Sequence, residues 1–263
     1  MGLQTNYHDV GTGSPVVLIH GSGPGVSAWA NWRLSIPELA RHSRVIAYDV
    51  AGFGFTELDP SANYTMDYWL THLVSFLDAM GLKKVSFVGN SFGGTLAAHF
   101  AARYPERTSR LAMMGANILA HPITPALDNL GWGYEPSVEI MRELLNTFPY
   151  NKALITEALV ENRYNASTRP DYHKAFRAMF PAPRQNVVNA MALSEELLGS
   201  IQCETLLIHG REDAFVPLEV SFRAQAIVPR AQLHVFGQCG HWVQIERARE
   251  FCALLETFLT GEE

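Results

Sequence analysis

The chain has 263 residues, a formal net charge of −6, 48% hydrophobic residues and 17% charged ones. That apolar share excludes an intrinsically disordered chain, and an acidic balance with no Lys/Arg-rich run disfavours nucleic acid as a partner. No stretch approaches the ~18 uninterrupted apolar residues of a membrane span. Met1 to Ser14 contains His8 and Asp9 and no basic region leading into an apolar core. A secretory signal is therefore not expected, and a cytoplasmic location is. Cys203, Cys239 and Cys252 lack C-x-x-C spacing, which suggests neither a disulfide framework nor a structural zinc site.

In chain order, Val16-Val17-Leu18-Ile19 is a short apolar run stopped by His20-Gly21, which predicts a buried strand. Further strands are expected at Arg44 to Asp49, closed by Gly52 and Gly54, at Val85 to Gly89 and at Arg110 to Met114. Two more follow at Thr205 to His209 and Gln232 to Phe236. Between many of them the apolar residues recur at helical spacing, as in Trp69, Leu70, Leu73, Val74 and Leu77, and in Phe251, Leu254, Leu255 and Phe258. Fully apolar strands alternating with helices predict an α/β fold, a mostly parallel sheet with helices on both faces. The alternation breaks between about His121 and Ser200, where aromatics such as Trp132, Tyr134, Phe148 and Phe176 accumulate and no strand is convincing. A strand-free stretch of that length is long for a crossover, so a helical lid insertion is preferred to an ordinary second helical layer. The expected division is a core of 1–120 and 200–263 with a lid of 121–199.

Gly89-Asn90-Ser91-Phe92-Gly93 fits G-x-S-x-G between a strand and a helix (Thr95 to Arg103). A tight turn there lifts the Ser91 hydroxyl above the sheet as a nucleophile, with the free N–H groups of the helix start beside it. The plain alternative is a serine that merely caps the helix. A serine nucleophile needs a base and the base an orienting acid. Asp213 follows the strand at Thr205 to His209, and His241 follows the strand at Gln232 to Phe236 and a Gly-rich turn. The order Ser91, Asp213, His241 is that of α/β-hydrolases. Glu212 competes for the acid role; Asp213 is preferred because it lies one residue further into the loop. The other histidines are expected to be ordinary polar or packing residues. His20-Gly-Ser-Gly-Pro-Gly25 lacks the Lys-Ser/Thr of a phosphate-binding loop, and in the hydrolase reading it supplies the backbone N–H of Ser22 to an oxyanion, together with that of Phe92. Each such donor is worth about 2.7–4 kcal/mol in the transition state. No metal or organic cofactor is expected.

Five segments carry a resemblance: His20-Gly-Ser-Gly-Pro-Gly-Val-Ser-Ala-Trp-Ala-Asn-Trp-Arg33, Gly89-Asn-Ser-Phe-Gly-Gly94, Met179-Phe-Pro-Ala-Pro-Arg-Gln185, His209-Gly-Arg-Glu-Asp213 and Ala231-Gln-Leu-His-Val-Phe-Gly-Gln-Cys-Gly-His-Trp242. They fall within a likeness running from about Thr5 to Leu259 to the meta-cleavage product hydrolases of aromatic degradation, α/β-hydrolases that cut a carbon–carbon bond, and especially to 2-hydroxymuconic semialdehyde hydrolases and the alkyl-type branch. The resemblance implies a 2-hydroxy-6-oxohexa-2,4-dienoate substrate with a small C6 substituent, cut between C5 and C6, and a homo-oligomer. It places Ser91, Asp213 and His241 on the triad and Asn31, Asn90 and Trp242 on substrate contacts. Arg163 matches the arginine that holds the substrate's carboxylate end; without the resemblance it reads as a solvated helix-surface residue. The chain departs from the family's pattern in its short N-terminus and in Gly115-Ala-Asn-Ile-Leu-Ala-His-Pro122. The rivals are a general carboxylesterase and, more distantly, a ligand-binding receptor on a hydrolase fold; Ser rather than Asp at position 91 disfavours a dehalogenase or epoxide hydrolase.

Overall fold

The structure, a computed structural model, describes residues 1–261. Seven strands form one sheet: β1 (Tyr7–Val10), β2 (Pro15–Ile19), β3 (Arg44–Tyr48), β4 (Val85–Asn90), β5 (Thr108–Met114), β6 (Glu204–Gly210) and β7 (Ala231–Phe236). Their order is β1-β3-β2-β4-β5-β6-β7. Only β1 runs antiparallel, against β3; every other pair is parallel. Sequence reading missed β1, because Tyr7-His8-Asp9-Val10 has no apolar run. It is a largely exposed edge strand, fastened by a two-pronged pair in which Arg44 Nε and Nη2 donate to Asp9 at 3.0 and 2.7 Å.

The parallel interior follows from the apolar runs. In β2, Val16 and Leu18 enter one core cluster with Trp32, Phe251 and Leu255, whereas Val17 and Ile19 enter the other with Trp69, Phe87 and Phe100. Successive side chains point to opposite faces, so a strand apolar at every position must be covered on both.

The helices before β5 are α1 (Ala28–Trp32), α2 (Ile36–Leu39), α3 (Met66–Ala79) and α4 (Phe92–Arg103). Ser27 and Thr65 cap α1 and α3 by accepting the Ala30 and Tyr68 N–H groups, satisfying donors that a helix start leaves free. Between β5 and β6 the chain forms a π-helical turn (Ala126–Gly131), α5 (Val138–Thr147), a 3-10 turn (Lys152–Leu154), α6 (Glu157–Ser167), α7 (Tyr172–Met179), α8 (Gln185–Met191) and α9 (Glu195–Gly199). There is no strand there among the described residues. The chain closes with α10 (Leu218–Ile227), α11 (Val243–Glu246) and α12 (Ala248–Thr260). No described helix is long and apolar enough to cross a membrane.

Candidate active site

β4 ends at Asn90, α4 begins at Phe92, and Ser91 between them adopts φ 51°, ψ −118°. Such a backbone costs a non-glycine residue on the order of 1–3 kcal/mol and persists only where the surroundings enforce it. Here they do: the Ser91 N–H donates to Met114 O at 2.7 Å. The turn also needs Gly93, where a Cβ would collide with the carbonyls of Ile19 and His20. Ser91 is held at the C-terminal edge of the sheet, against its backbone strain, by surroundings that the G-x-S-x-G spacing makes possible.

Asp213 follows β6, and its side chain is buried. Its Oδ1 accepts the N–H groups of Phe215 and Val216 at 2.7 and 3.0 Å, and its Oδ2 lies 2.6 Å from His241 Nδ1. Burial alone would raise the carboxyl's pKa, but the charge His241 can carry and the hydrogen bonds from His209 and His241 outweigh it and hold Asp213 well below the usual carboxylate range. The neighbouring Glu212 is committed elsewhere: Oε2 accepts the Cys239 N–H at 2.9 Å and Oε1 accepts Arg211 Nε–H at 2.8 Å. Asp213, and not Glu212, therefore meets His241. His209, expected from sequence to be an ordinary polar or packing residue, is a hydrogen-bonded polar residue beside the acid. Fully buried, it places Nδ1 2.7 Å from Ser221 Oγ and Nε2 3.0 Å from Val216 O and 3.4 Å from Asp213 Oδ2.

The loop after β5 begins with Gly115 at φ +52°, where a Cβ would sit 3.1 Å from both Asp213 Oδ2 and the His241 ring. The segment read from sequence as a departure thus starts with a glycine that lets the acid–imidazole pair approach β5.

The loop after β2 is anchored by His20, whose Nδ1–H donates to Gly21 O at 2.7 Å while Nε2 accepts the Val50 N–H at 3.0 Å. Burial lowers the His20 pKa, which keeps the ring neutral. The N–H groups of Ser22 and Phe92 find no acceptor among the described residues, whereas that of Gly21 reaches Asn31 Oδ1 at 3.4 Å and that of Gly25 reaches Tyr172 Oη at 3.1 Å. The Ser22 hydroxyl itself accepts Trp132 Nε1–H at 2.9 Å.

Ser91, His241, Asn31, Asn90, Arg163 and Trp242 all line one cavity of about 220 Å³. Ser22 lines it too, and Phe92 lies buried beside it in the turn. Ser91 Oγ makes no hydrogen bond to His241 among the described residues, a contact that often tightens only with substrate in place. The side-chain nitrogens of Asn31 and Asn90 are buried without partners. Burial pulls the Arg163 guanidinium from its ordinary pKa down to about 10, with Tyr172 opposing and Arg33 assisting, so it remains a cation at neutral pH. It has no carboxylate partner among the described residues.

Sequence reasoning missed several wall residues: Gln244, Arg33, Trp132, Phe148 and Phe215. Gln244 is 1% exposed with Oε1 unpartnered; its position three residues past His241 was the available signal. Phe148 stacks on both Phe215 (4.3 Å) and Trp242 (4.6 Å), a grouping that only the tertiary fold creates.

The chain belongs to the α/β-hydrolase fold family, whose model matches residues 14–248, and within it to the meta-cleavage product hydrolases. It is 52% identical, over 100% of its length and 95% of the relative's, to a 2-hydroxy-6-oxo-2,4-heptadienoate hydrolase of Pseudomonas putida. It is 51% identical, over 98% of its length and 91% of the relative's, to a 2-hydroxymuconate semialdehyde hydrolase of a Pseudomonas species. Among solved structures, a serine-to-alanine variant of a meta-cleavage product hydrolase from Pseudomonas fluorescens, complexed with acetates, superposes with a TM-score of 0.97 at 50% identity, covering 100% of this chain and 96% of that one.

Proposed function

We propose that this protein is a serine-type hydrolase that cleaves the C5–C6 carbon–carbon bond of 2-hydroxy-6-oxohexa-2,4-dienoates bearing a small C6 substituent. The products are 2-hydroxypenta-2,4-dienoate and a short carboxylic acid. The observation that carries the reading is the cation Arg163, without a carboxylate of its own, in the same cavity as Ser91 and the Asp213–His241 pair. A hydrolase of neutral esters has no use for a half-buried guanidinium there; a planar carboxylate pairs with one in bidentate fashion.

In this reading Arg163, Asn31, Asn90 and Trp242 hold the carboxylate and oxygenated end. The dienol first passes to its keto tautomer by proton transfer to C5, with His241 as the shuttle, which makes the C2 carbonyl an electron sink. Ser91, giving its proton to His241, attacks the C6 carbonyl or delivers a water to it. Both routes give a tetrahedral oxyanion that accepts from the Ser22 and Phe92 N–H groups. Collapse breaks C5–C6, and the electron pair is delocalised to the C2 oxygen. On the covalent route, water then releases the acid from Ser91. Asp213 fixes the His241 tautomer and stays ionised throughout.

The names of the relatives support a hydrogen or methyl group at C6. So does the cavity of about 220 Å³, below the ~300–1,000 Å³ of sites for drug-sized ligands. We read residues 121–199 as the lid over this cavity and 1–120 with 200–263 as the core. A cytoplasmic location accords with three unpaired cysteines; a homo-oligomeric state rests on the family likeness. The test is product analysis. Incubation with the ring-fission product of 3-methylcatechol should yield 2-hydroxypenta-2,4-dienoate and acetate in equal amounts, and recovery of intact dienoate would overturn the proposal.

A further inference from the structure

The loop that presents His241, Gly237 to His241, is irregular backbone, and Gln238 within it has φ 53°. Nothing in its own sequence holds it, so its backbone partners decide where the imidazole sits. Arg247 Nη2 donates to the carbonyls of Gly237 and Gln238 at 2.9 and 3.2 Å. Glu212 Oε2 accepts the Cys239 N–H at 2.9 Å, and Cys239 O accepts the Glu212 N–H at 3.0 Å. Two further N–H groups of the loop have partners: that of His241 donates to Phe148 O, just after α5, at 2.8 Å, and that of Gly240 donates to Glu246 Oε1 of α11 at 2.7 Å.

Glu246, the last residue of α11, divides its two oxygens between two segments. Oε1 takes the Gly240 N–H, while Oε2 takes the N–H groups of Tyr150 and Asn151 at 2.7 and 3.0 Å. The carboxylate therefore joins the stretch from Phe148 to Asn151, between α5 and α6, to the histidine loop. Phe148 extends the junction, its ring 5.9 Å from that of His241 and stacked on Trp242.

We infer that Glu246 is a positioning residue for His241: its carboxylate, bridging Gly240 N–H to the Tyr150 and Asn151 N–H groups, makes the lid and the loop that carries the base one mechanical unit. The inference rests on the functional reading above and deepens it. Its physical content is that both oxygens must be acceptors. A glutamine keeps the shape and one acceptor oxygen but turns an NH2 group toward the N–H donors of one segment or the other. The bridge then fails on one side, and a displacement of about 1 Å at a reacting group can cost on the order of 10²-fold in rate.

The test uses E246Q and E246A in the full chain, with three readouts: thermal unfolding, kcat and KM on the 3-methylcatechol ring-fission product, and the rate at which a small alkyl fluorophosphonate labels Ser91. The expected result is a folded E246Q whose kcat and labelling rate both fall at least about tenfold, nearly as far as in E246A, with KM within about threefold of the parent. Retained labelling and turnover in E246Q would overturn the inference. So would a loss confined to KM, or a collapse of the folded state, which would make Glu246 a staple of the fold alone. A parent protein that labels at Ser91 yet leaves the dienoate unchanged would sink the substrate reading instead, and the labelling rates of the variants would still test Glu246.

Discussion

At the scale of single residues, the site opposes charges and dipoles that the chain has already fixed. Asp213 is ionised because four donors converge on it, two from the backbone of Phe215 and Val216 and two from His241 and His209. Its pKa is depressed, so the stability it contributes is complete above the unfolded value of about 4 and is lost as pH falls through the lower folded value. Replacing Ser91 by Ala should leave dienoate binding, seen as its visible absorption band, and lower turnover by at least about 10³-fold. Arg163→Ala should raise KM at least about tenfold and weaken inhibition by simple carboxylates in step; an unchanged KM would remove Arg163 from the carboxylate site. Much at this scale was legible in advance. Ser91, Asp213 and His241 each follow a strand in the expected order, because the turn after a parallel strand is where the fold leaves room for chemistry. Arg163 was not legible from its own surroundings: α6 has no strong apolar stripe to say which face turns inward. Glu246 was invisible for the same kind of reason, since two of its three backbone partners lie more than 90 residues away along the chain.

At the scale of elements, the buried strands announce themselves and the peripheral ones do not. Val16 to Ile19 and Leu206 to Ile208 are apolar without interruption because both faces are covered. Tyr7 to Val10 lies at an edge, draws its order from backbone pairing and the Asp9–Arg44 pair, and carries no pattern that a sequence reading can find. The helical segment was legible as strand-free, but its contacts with the site were not. Trp132 shows why: it stacks on Phe180 at 4.7 Å and reaches back to Ser22 Oγ, joining the segment to the loop after β2. Trp132→Phe keeps the stacking and removes the donor. A hydrogen bond of this kind is worth about 0.5–1.5 kcal/mol, so kcat should fall roughly threefold to tenfold with little change in unfolding temperature. A kcat equal to that of the parent would show that the Ser22 loop keeps its place without the tryptophan.

At the scale of the whole molecule, the acidic chain folds around several neutral imidazoles. His72 is the clearest: Nδ1 accepts the Ala51 N–H at 3.2 Å, which leaves Nε2–H to donate to Thr5 Oγ1 at 2.9 Å. Burial, aided by the charge of the N-terminus, brings its pKa from 6.5 to about 4. Burial also lowers those of His20, His99 and His121. The unfolded chain therefore takes up protons below about pH 6.5 that the folded chain refuses. Stability present above that pH should decline as pH falls toward 4, with His72 accounting for about 3 kcal/mol at the low end. Chemical denaturation between pH 7 and 4.5 should show the decline, and His72→Gln should flatten it. A stability independent of pH over that range would contradict the neutral, buried state of these rings.

The most direct test of the central claim compares three substrates on the purified protein. These are the yellow ring-fission products of 3-methylcatechol and of 2,3-dihydroxybiphenyl, followed by loss of their visible absorbance, and a p-nitrophenyl ester. A carboxylate-gripping site with a small acyl pocket predicts fast bleaching of the first, slow bleaching of the second and little ester cleavage. Rapid ester cleavage with neither dienoate bleached would contradict it, leaving a triad without the carbon–carbon chemistry that Arg163 and its neighbours are assigned.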